Sequence, residues 1–426
     1  MQKTLLAAAA AGALIMPLAA QAQDIPVGHI VDYSGPTSGV GLSFGGAIAD
    51  AMTWINANGG INGRMLAFET VDYSYQAPRA VAAYRRMVAQ DDVVAVQGWG
   101  TADTEALVDF VARDRVPYWS ASYAGTITDP TGDGERSTKA APYNFFYGPS
   151  YSDGCRALVQ WAAEDWAMNG DDRTPRYVHM GDNHPYPNAP KQACSEYAEE
   201  LGFEVLNPIN YTLAPGDFTA QCLTLREQGA DYAFMANTAG SGISLMRTCG
   251  TVGVDTQFMA NVWGFDANAM RAAGEAADGT VFVVRTGTVW TDDAPGMAIV
   301  RDVAGGSEYE LVHYIAGVCS AFYMKEAMEW ADNHGDVTGE TIRDGMYALS
   351  AEHDMAWVPA GMEGVCLPSG WTATDHRGLM TAMIYRGHIN GSTDGAEVAE
   401  LIDNGTIALE KVAEITLERR PEWIGY

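Results

Sequence analysis

Short apolar runs alternate with amphipathic stretches along this chain, and the whole pattern occurs twice. Ile25–Val31 reads as a strand, residues 45–58 as a helix carrying Ile48, Met52 and Ile55 on one face, and Gly59-Gly60 as its stop. Residues 65–71 form the next strand. A helix with Pro78 in its first turn and Val81, Tyr84 and Val88 toward the core comes next. A strand at 93–96, a helix at 103–113 and a strand at 117–120 follow. After a polar loop at 125–141 and a short run at 143–147 the alternation restarts. Helices at 152–168, 189–201, 217–228 and 241–249 are interleaved with strands at 177–180, 203–206, Tyr232–Met235, Gln257–Ala260 and Val281–Val284. Strands separated by helices must run parallel, with helices on both faces of the sheet. The expected fold class is therefore α/β, with two doubly wound parallel-sheet lobes. Helices at 309–332 and 338–350, a β-like stretch at 379–385, and a helix with an irregular tail over 396–426 complete the reading.

The length, 426 residues with 47% hydrophobic, exceeds one ordinary core and favours two domains. Twenty-five basic residues stand against fifty-four acidic ones, a net charge of −29. Nucleic acid requires a basic footprint, and an anionic membrane surface would repel such a chain, so both are excluded as partners. Residues 1–22 read as a signal peptide: Lys3 opens it, an apolar run covers 5–20, and Ala20-Gln21-Ala22 fits a cleavage site that leaves Gln23 first. No later run is long enough to span a bilayer, so direct membrane insertion is not expected.

Six cysteines in an oxidising compartment leave fifteen connectivities open. Pairing neighbours, Cys155–Cys194, Cys222–Cys249 and Cys319–Cys366, joins elements close in the chain and is the expectation adopted. No cysteine spacing suits a zinc ribbon. His179, Asp182 and His184 form an H-x-x-D-x-H cluster without an evident further ligand, so neither metal nor cofactor is expected.

Several local motifs carry a family resemblance. Ser34-Gly35-Pro36 and Gly41 precede a helix that ends Ile55-Asn56-Ala57-Asn58-Gly59-Gly60-Ile61-Asn62-Gly63. Asp72, the helix residues 77–83, Gly216-Asp217-Phe218-Thr219 and Thr256-Gln257-Phe258-Met259 follow in order. With these pieces the chain, from about residue 24 to about 390, resembles the type I periplasmic solute-binding proteins of ABC importers, in particular the Leu/Ile/Val-binding branch. The resemblance implies two lobes joined by three crossings, near 146–148, 284–287 and 360–364. It divides the chain into an N-terminal lobe of 23–147 plus 286–362 and a C-terminal lobe and tail of 148–285 plus 363–426. It further implies a periplasmic protein, not an enzyme, that closes on a small solute and delivers it to an inner-membrane permease. A ligand sensor signalling to a receptor or kinase is the alternative that the same fold admits.

Ligands of open α/β sheets sit beyond the carboxyl ends of the strands, which selects the same loops as the resemblance. Trp99-Gly100-Thr101 follows the third strand, where glycine permits close backbone approach and the next helix offers its N-terminus. By resemblance Thr101 holds a carboxylate, Trp99 is an apolar wall, and Ser122 and Tyr123 present backbone groups. Tyr186 stands at the cleft-closing position, Thr238 where the family has a tyrosine, and Tyr309 at an aromatic wall. Trp263 lies in the loop where amino-acid binders carry a glutamate for the ammonium group, and Asp266 is the nearest acid. Ala124 likewise lacks a family threonine hydroxyl. The expected solute is therefore a small acid or amide with a flat or apolar body. Gly41-Leu42-Ser43-Phe44-Gly45 matches a nucleophile-elbow pattern, but Ser43 lies far from the preceding strand and reads as a helix N-cap.

Overall fold

The computed structural model describes residues 23–426; the expected signal segment, 1–22, lies outside the described residues. Strands β1 (Ile25–Val31), β2 (Leu66–Asp72), β3 (Ala95–Gln97), β4 (Tyr118–Trp119) and β5 (Asn144–Phe145) form one sheet in the order β2-β1-β3-β4-β5. Every pairing in it is parallel. The second sheet contains β6 (Arg176–Gly181), β7 (Glu204–Val205), β8 (Ile209–Asn210), β9 (Tyr232–Met235), β10 (Gln257–Ala260) and β11 (Val281–Val284). Its parallel part runs β7-β6-β9-β10-β11, with β8 also on β6. The two lobes thus repeat one winding, and each changes direction beside its first strand. Strands such as Tyr232–Met235 and Val281–Val284 are buried throughout, which is why they read as continuous apolar runs.

Three features depart from the sequence reading. A hairpin of β12 (Gly370–Thr372) and β13 (Asp375–Gly378) precedes β14 (Thr381–Ile389), and residues expected as a tail form β15 (Ile407–Thr416). Of that region only Val398–Asp403 is α-helical, with a single 3-10 turn at Pro421–Trp423. β15 and β14 pair antiparallel on the edge of the second sheet, so this lobe is mixed rather than wholly parallel. Its Glu, Lys and Ala content favours helix, and cross-strand pairing overrides that preference. Second, Trp371 of the hairpin is buried in the apolar cluster of the first lobe, and His376 stacks on Phe145 of β5. Leu367 before the hairpin and Leu379 after it belong to the apolar cluster of the second lobe. Third, Ser43 is no N-cap: it lies inside a π-helical turn, Gly41–Gly45, that runs into the helix Gly46–Ala57.

The helix Val312–His334 packs on that turn. Gly317 allows the approach, because a Cβ there would lie 2.4 Å from the Phe44 carbonyl oxygen. The cysteines pair as Cys155–Cys194, Cys222–Cys249 and Cys319–Cys366, and none is free. The first two each join helices of the second lobe. The third ties the helix Val312–His334 to the crossing segment, where Thr286 and Cys366 also form a bridge. No disulfide links one sheet to the other. Among the described residues no helix is long and apolar enough to cross a membrane.

Candidate functional site

A sheet wound in this order opens a crevice where its connections diverge, between β1 and β3 in the first lobe and between β6 and β9 in the second. The loops at these two points face each other. Thr37 and Val40 after β1, Tyr75 after β2, Trp99, Gly100 and Thr101 after β3, and Ala121 after β4 line one side of a cavity. Tyr186 after β6, Thr238 after β9 and Trp263 after β10 line the other, and Tyr151 closes it at the first crossing. The walls nearly touch. The space admits the centre of a water-sized sphere over about 20 Å³, room for a single water. Tyr186, Val262 and Trp263 of the second lobe belong to the continuous apolar cluster of the first. This is the closed arrangement of the lobes.

On the first-lobe wall, the Trp99 indole donates to Thr37 Oγ1 at 2.9 Å and Ser122 Oγ donates to Thr101 Oγ1 at 2.9 Å. Thr101 opens the helix Thr101–Asp114, with Gly100 as its N-cap. One donor of the anion cradle expected there is already used by the chain itself. Gly100 N–H donates to Asp103 Oδ2 at 3.1 Å, and Tyr73 OH donates to Asp103 Oδ1 at 2.8 Å. A Cβ on Gly100 would lie 2.5 Å from that carboxylate, so only glycine permits the contact. Burial raises Asp103 to about 7, with these hydrogen bonds pulling the other way. An acid group arriving at this helix start would therefore meet a carboxyl already in place.

Across the cavity the hydroxyls of Tyr186 and Thr238 are buried without hydrogen-bond partners. Burial pushes the Tyr186 hydroxyl far above its ordinary value. Asp266 does not stand in for the missing glutamate. It caps the helix Ala267–Ala273 by accepting from Ala269 N at 2.7 Å, and its other oxygen lies 3.4 Å from Nε2 of buried His313.

Trp263 fills the centre. Its N–H is shared between Ala121 O at 3.1 Å and Tyr151 OH at 3.0 Å. Phe44 meets its ring edge-on at 5.1 Å, and Trp99 and Tyr123 flank it at 6.4 and 5.4 Å. The guanidinium carbon of Arg285, just past β11, lies 3.9 Å from its ring centre.

Of the residues expected from sequence, Trp99, Gly100, Thr101, Tyr186, Thr238 and Trp263 come together at the cavity. Ser122 stands behind Thr101. Tyr123 lies behind Trp263, stacked on Phe146. Tyr309 lies elsewhere, lining a surface groove with Leu42, Ser43 and Leu311. Thr37, Val40, Tyr75, Ala121 and Tyr151 escaped the sequence reading. The rule of post-strand loops selects Tyr75, which sits with Ser74 in left-handed backbone at φ 55° and 53°. Among the described residues no group of three metal-ligating side chains comes together: Asp182 accepts from Leu213 N, and His184 Nδ1 from Tyr186 N.

No curated protein matches the chain. Solved structures share its fold across nearly their whole length. An ABC transporter substrate-binding protein of Aeropyrum pernix superposes with TM-score 0.76 at 23% identity, covering 95% of this chain and 98% of that one. A branched-chain amino acid ABC transporter protein of Thermus thermophilus with bound valine gives 0.77 at 19%, covering 93% and 97%. A fatty acid ABC transporter substrate-binding protein of Thermomonospora curvata gives 0.74 at 16%, covering 95% and 96%. The family model described as periplasmic binding protein matches residues 24–394, which take in every strand of both sheets except β15, and every loop of the cavity. With two like-wound lobes closed on a shared crevice and that match across them, the chain belongs to the periplasmic binding protein family.

Proposed function

We propose that this protein is the periplasmic solute-binding component of an ABC importer, exported by its N-terminal signal peptide, which traps a small solute between its lobes and hands it to the membrane permease. The observation that carries the reading is a cavity shared by the two facing crevices, with Trp99 and Thr101 on one wall and Tyr186 and Thr238 on the other. Because the closed walls leave room for only a water, the solute enters when the lobes part, and closure then buries it. The moving units are 23–147 with 286–378, and 148–285 with 379–426; the packing of Trp371 and His376 on the first lobe supports this placing of the third boundary.

The solute is a small acid or amide with a flat or apolar body. An amino acid would bring an ammonium group to a cavity without a lining carboxylate, and burying a cation unpaired costs several kcal/mol. Titration calorimetry tests this directly. Leucine, isoleucine and valine should bind more weakly than about 1 μM, and a leucine Kd at or below that value, near −8 kcal/mol, refutes the assignment.

A further inference from the structure

Arg285 has no role in the closure just described, and its surroundings are unusual for an arginine. It is 2% exposed, as deeply buried as Arg156 (1%) and Arg377 (3%). Those two are paired with Asp153 and Asp375 at 2.8 Å each. Arg285 has no carboxylate partner among the described residues. Nη1 makes one long contact, 3.5 Å, to the Val262 carbonyl, and Nε and Nη2 have no partner at all. The hydroxyl of Tyr123, whose ring centre lies 5.5 Å from the guanidinium carbon, is also buried without a partner. Tyr147 fixes the backbone here by donating to the Arg285 carbonyl at 2.9 Å, so the residue is held in place rather than left to drift.

A buried charge without a counter-ion is costly, and unpartnered guanidinium donors add to that cost. The chemistry that relieves both is an oxyanion, above all a carboxylate, which accepts from a guanidinium in bidentate fashion. Access follows from the parting of the lobes. The Trp263 indole lines the cavity, whereas Arg285, stacked on that ring, does not, so in the closed arrangement the indole is the wall between them. Trp263 and Arg285 belong to the same moving unit, and parting the lobes withdraws both from Phe44 and Tyr123, whose ring centres lie 5.4 and 5.5 Å from the guanidinium carbon. The space that opens is walled by the rings of Phe44, Tyr123 and Trp263 and suits a flat body.

We propose that Arg285 is the anion receptor of the cleft, taking the carboxylate of a flat-bodied organic acid when the lobes part and Phe44 and Tyr123 move off its guanidinium. The assignment rests on the reading of the cleft as the solute site and narrows it: the acid group goes to Arg285, not to the Thr101 helix start that Asp103 already occupies.

The test is calorimetry on the full chain with benzoate, phenylacetate and indole-3-acetate, each against its own amide. Wild type should favour at least one acid over its amide by a hundredfold or more. Arg285→Met should abolish that preference while leaving the amide unchanged, and the ligand-free variant should melt at or above the wild-type temperature, since an unpaired buried charge has gone. Arg285→Lys keeps the charge but loses the fork, and should weaken the acid about tenfold without touching the amide. Should the Met variant fail to fold, the Lys variant decides, and equal losses for acid and amide overturn the assignment. Amides bound as tightly as acids by wild type, or a preference that survives Arg285→Met, overturn it as well while leaving the solute-binding function standing. Failure of every compound, leucine included, to bind removes that function, and the Arg285 assignment with it.

Discussion

Replacing Trp263 with alanine should open the protein rather than unfold it. The indole sits on a second-lobe loop, yet it donates to the Ala121 carbonyl and packs against Phe44 and Trp99, all three in the first lobe. These contacts exist only while the lobes are closed. The hydrogen bond to Ala121 contributes about 1 kcal/mol, and the edge-to-face pair with Phe44 about 1 more. Losing about 2 kcal/mol from the closed state alone shifts the closed-to-open ratio by roughly thirtyfold. Small-angle X-ray scattering of ligand-free Trp263→Ala should therefore give a larger radius of gyration than wild type, with a similar melting temperature. The opposite pattern refutes the reasoning. An unchanged scattering profile, with stability lowered by the 3–5 kcal/mol of an ordinary core truncation, would make Trp263 a core residue and not a latch.

Two further outcomes follow from charge and covalent structure. Burial pushes His29 and His376 down to about 4 and His179 to about 3. Their contribution to stability is whole above pH 6.5 and is lost as pH falls toward those values. Asp103, raised to about 7 from 3.8, works in the opposite sense, contributing fully below pH 4 and losing that contribution as pH rises to about 7. Asp103→Asn should therefore steepen the fall of the urea midpoint between pH 7 and 4; an unchanged slope would mean that Asp103 titrates normally. For the disulfides, loops spanning 39, 27 and 47 residues imply roughly 3–4 kcal/mol each by chain entropy. Thiol labelling in denaturant should find no free cysteine before reduction, and reduction should lower the melting temperature by several degrees.

The fold was legible in the sequence where strands are buried on both faces. Tyr232–Met235, Gln257–Ala260 and Val281–Val284 lie where their apolar runs put them, because a parallel strand under two helical layers has little room for a polar residue. The edge strand Ile407–Thr416 was misread as helix and tail. Its exposed Glu and Lys residues reflect a solvated margin, and only the partner Thr381–Ile389 makes it a strand. The site divides in the same way. Trp99, Thr101, Tyr186 and Thr238 follow from the rule that loops after strands line the crevice. Arg285 does not, since an arginine after a strand looks ordinary until the absence of its partner can be seen in three dimensions. Asp103 was hidden for a related reason: its claim on the Gly100 amide is a matter of geometry.

The three disulfides join the first cysteine to the second, the third to the fourth and the fifth to the sixth. A chain threaded through a membrane pore from its N-terminus presents its thiols in that order. Each odd-numbered cysteine thus meets its native partner before any later thiol has emerged. Of fifteen conceivable connectivities, the one reached by simple order of arrival is the one found in the fold. Oxidation can therefore keep pace with translocation, each bond closing locally, with no shuffling of mispaired bonds needed to reach the finished molecule.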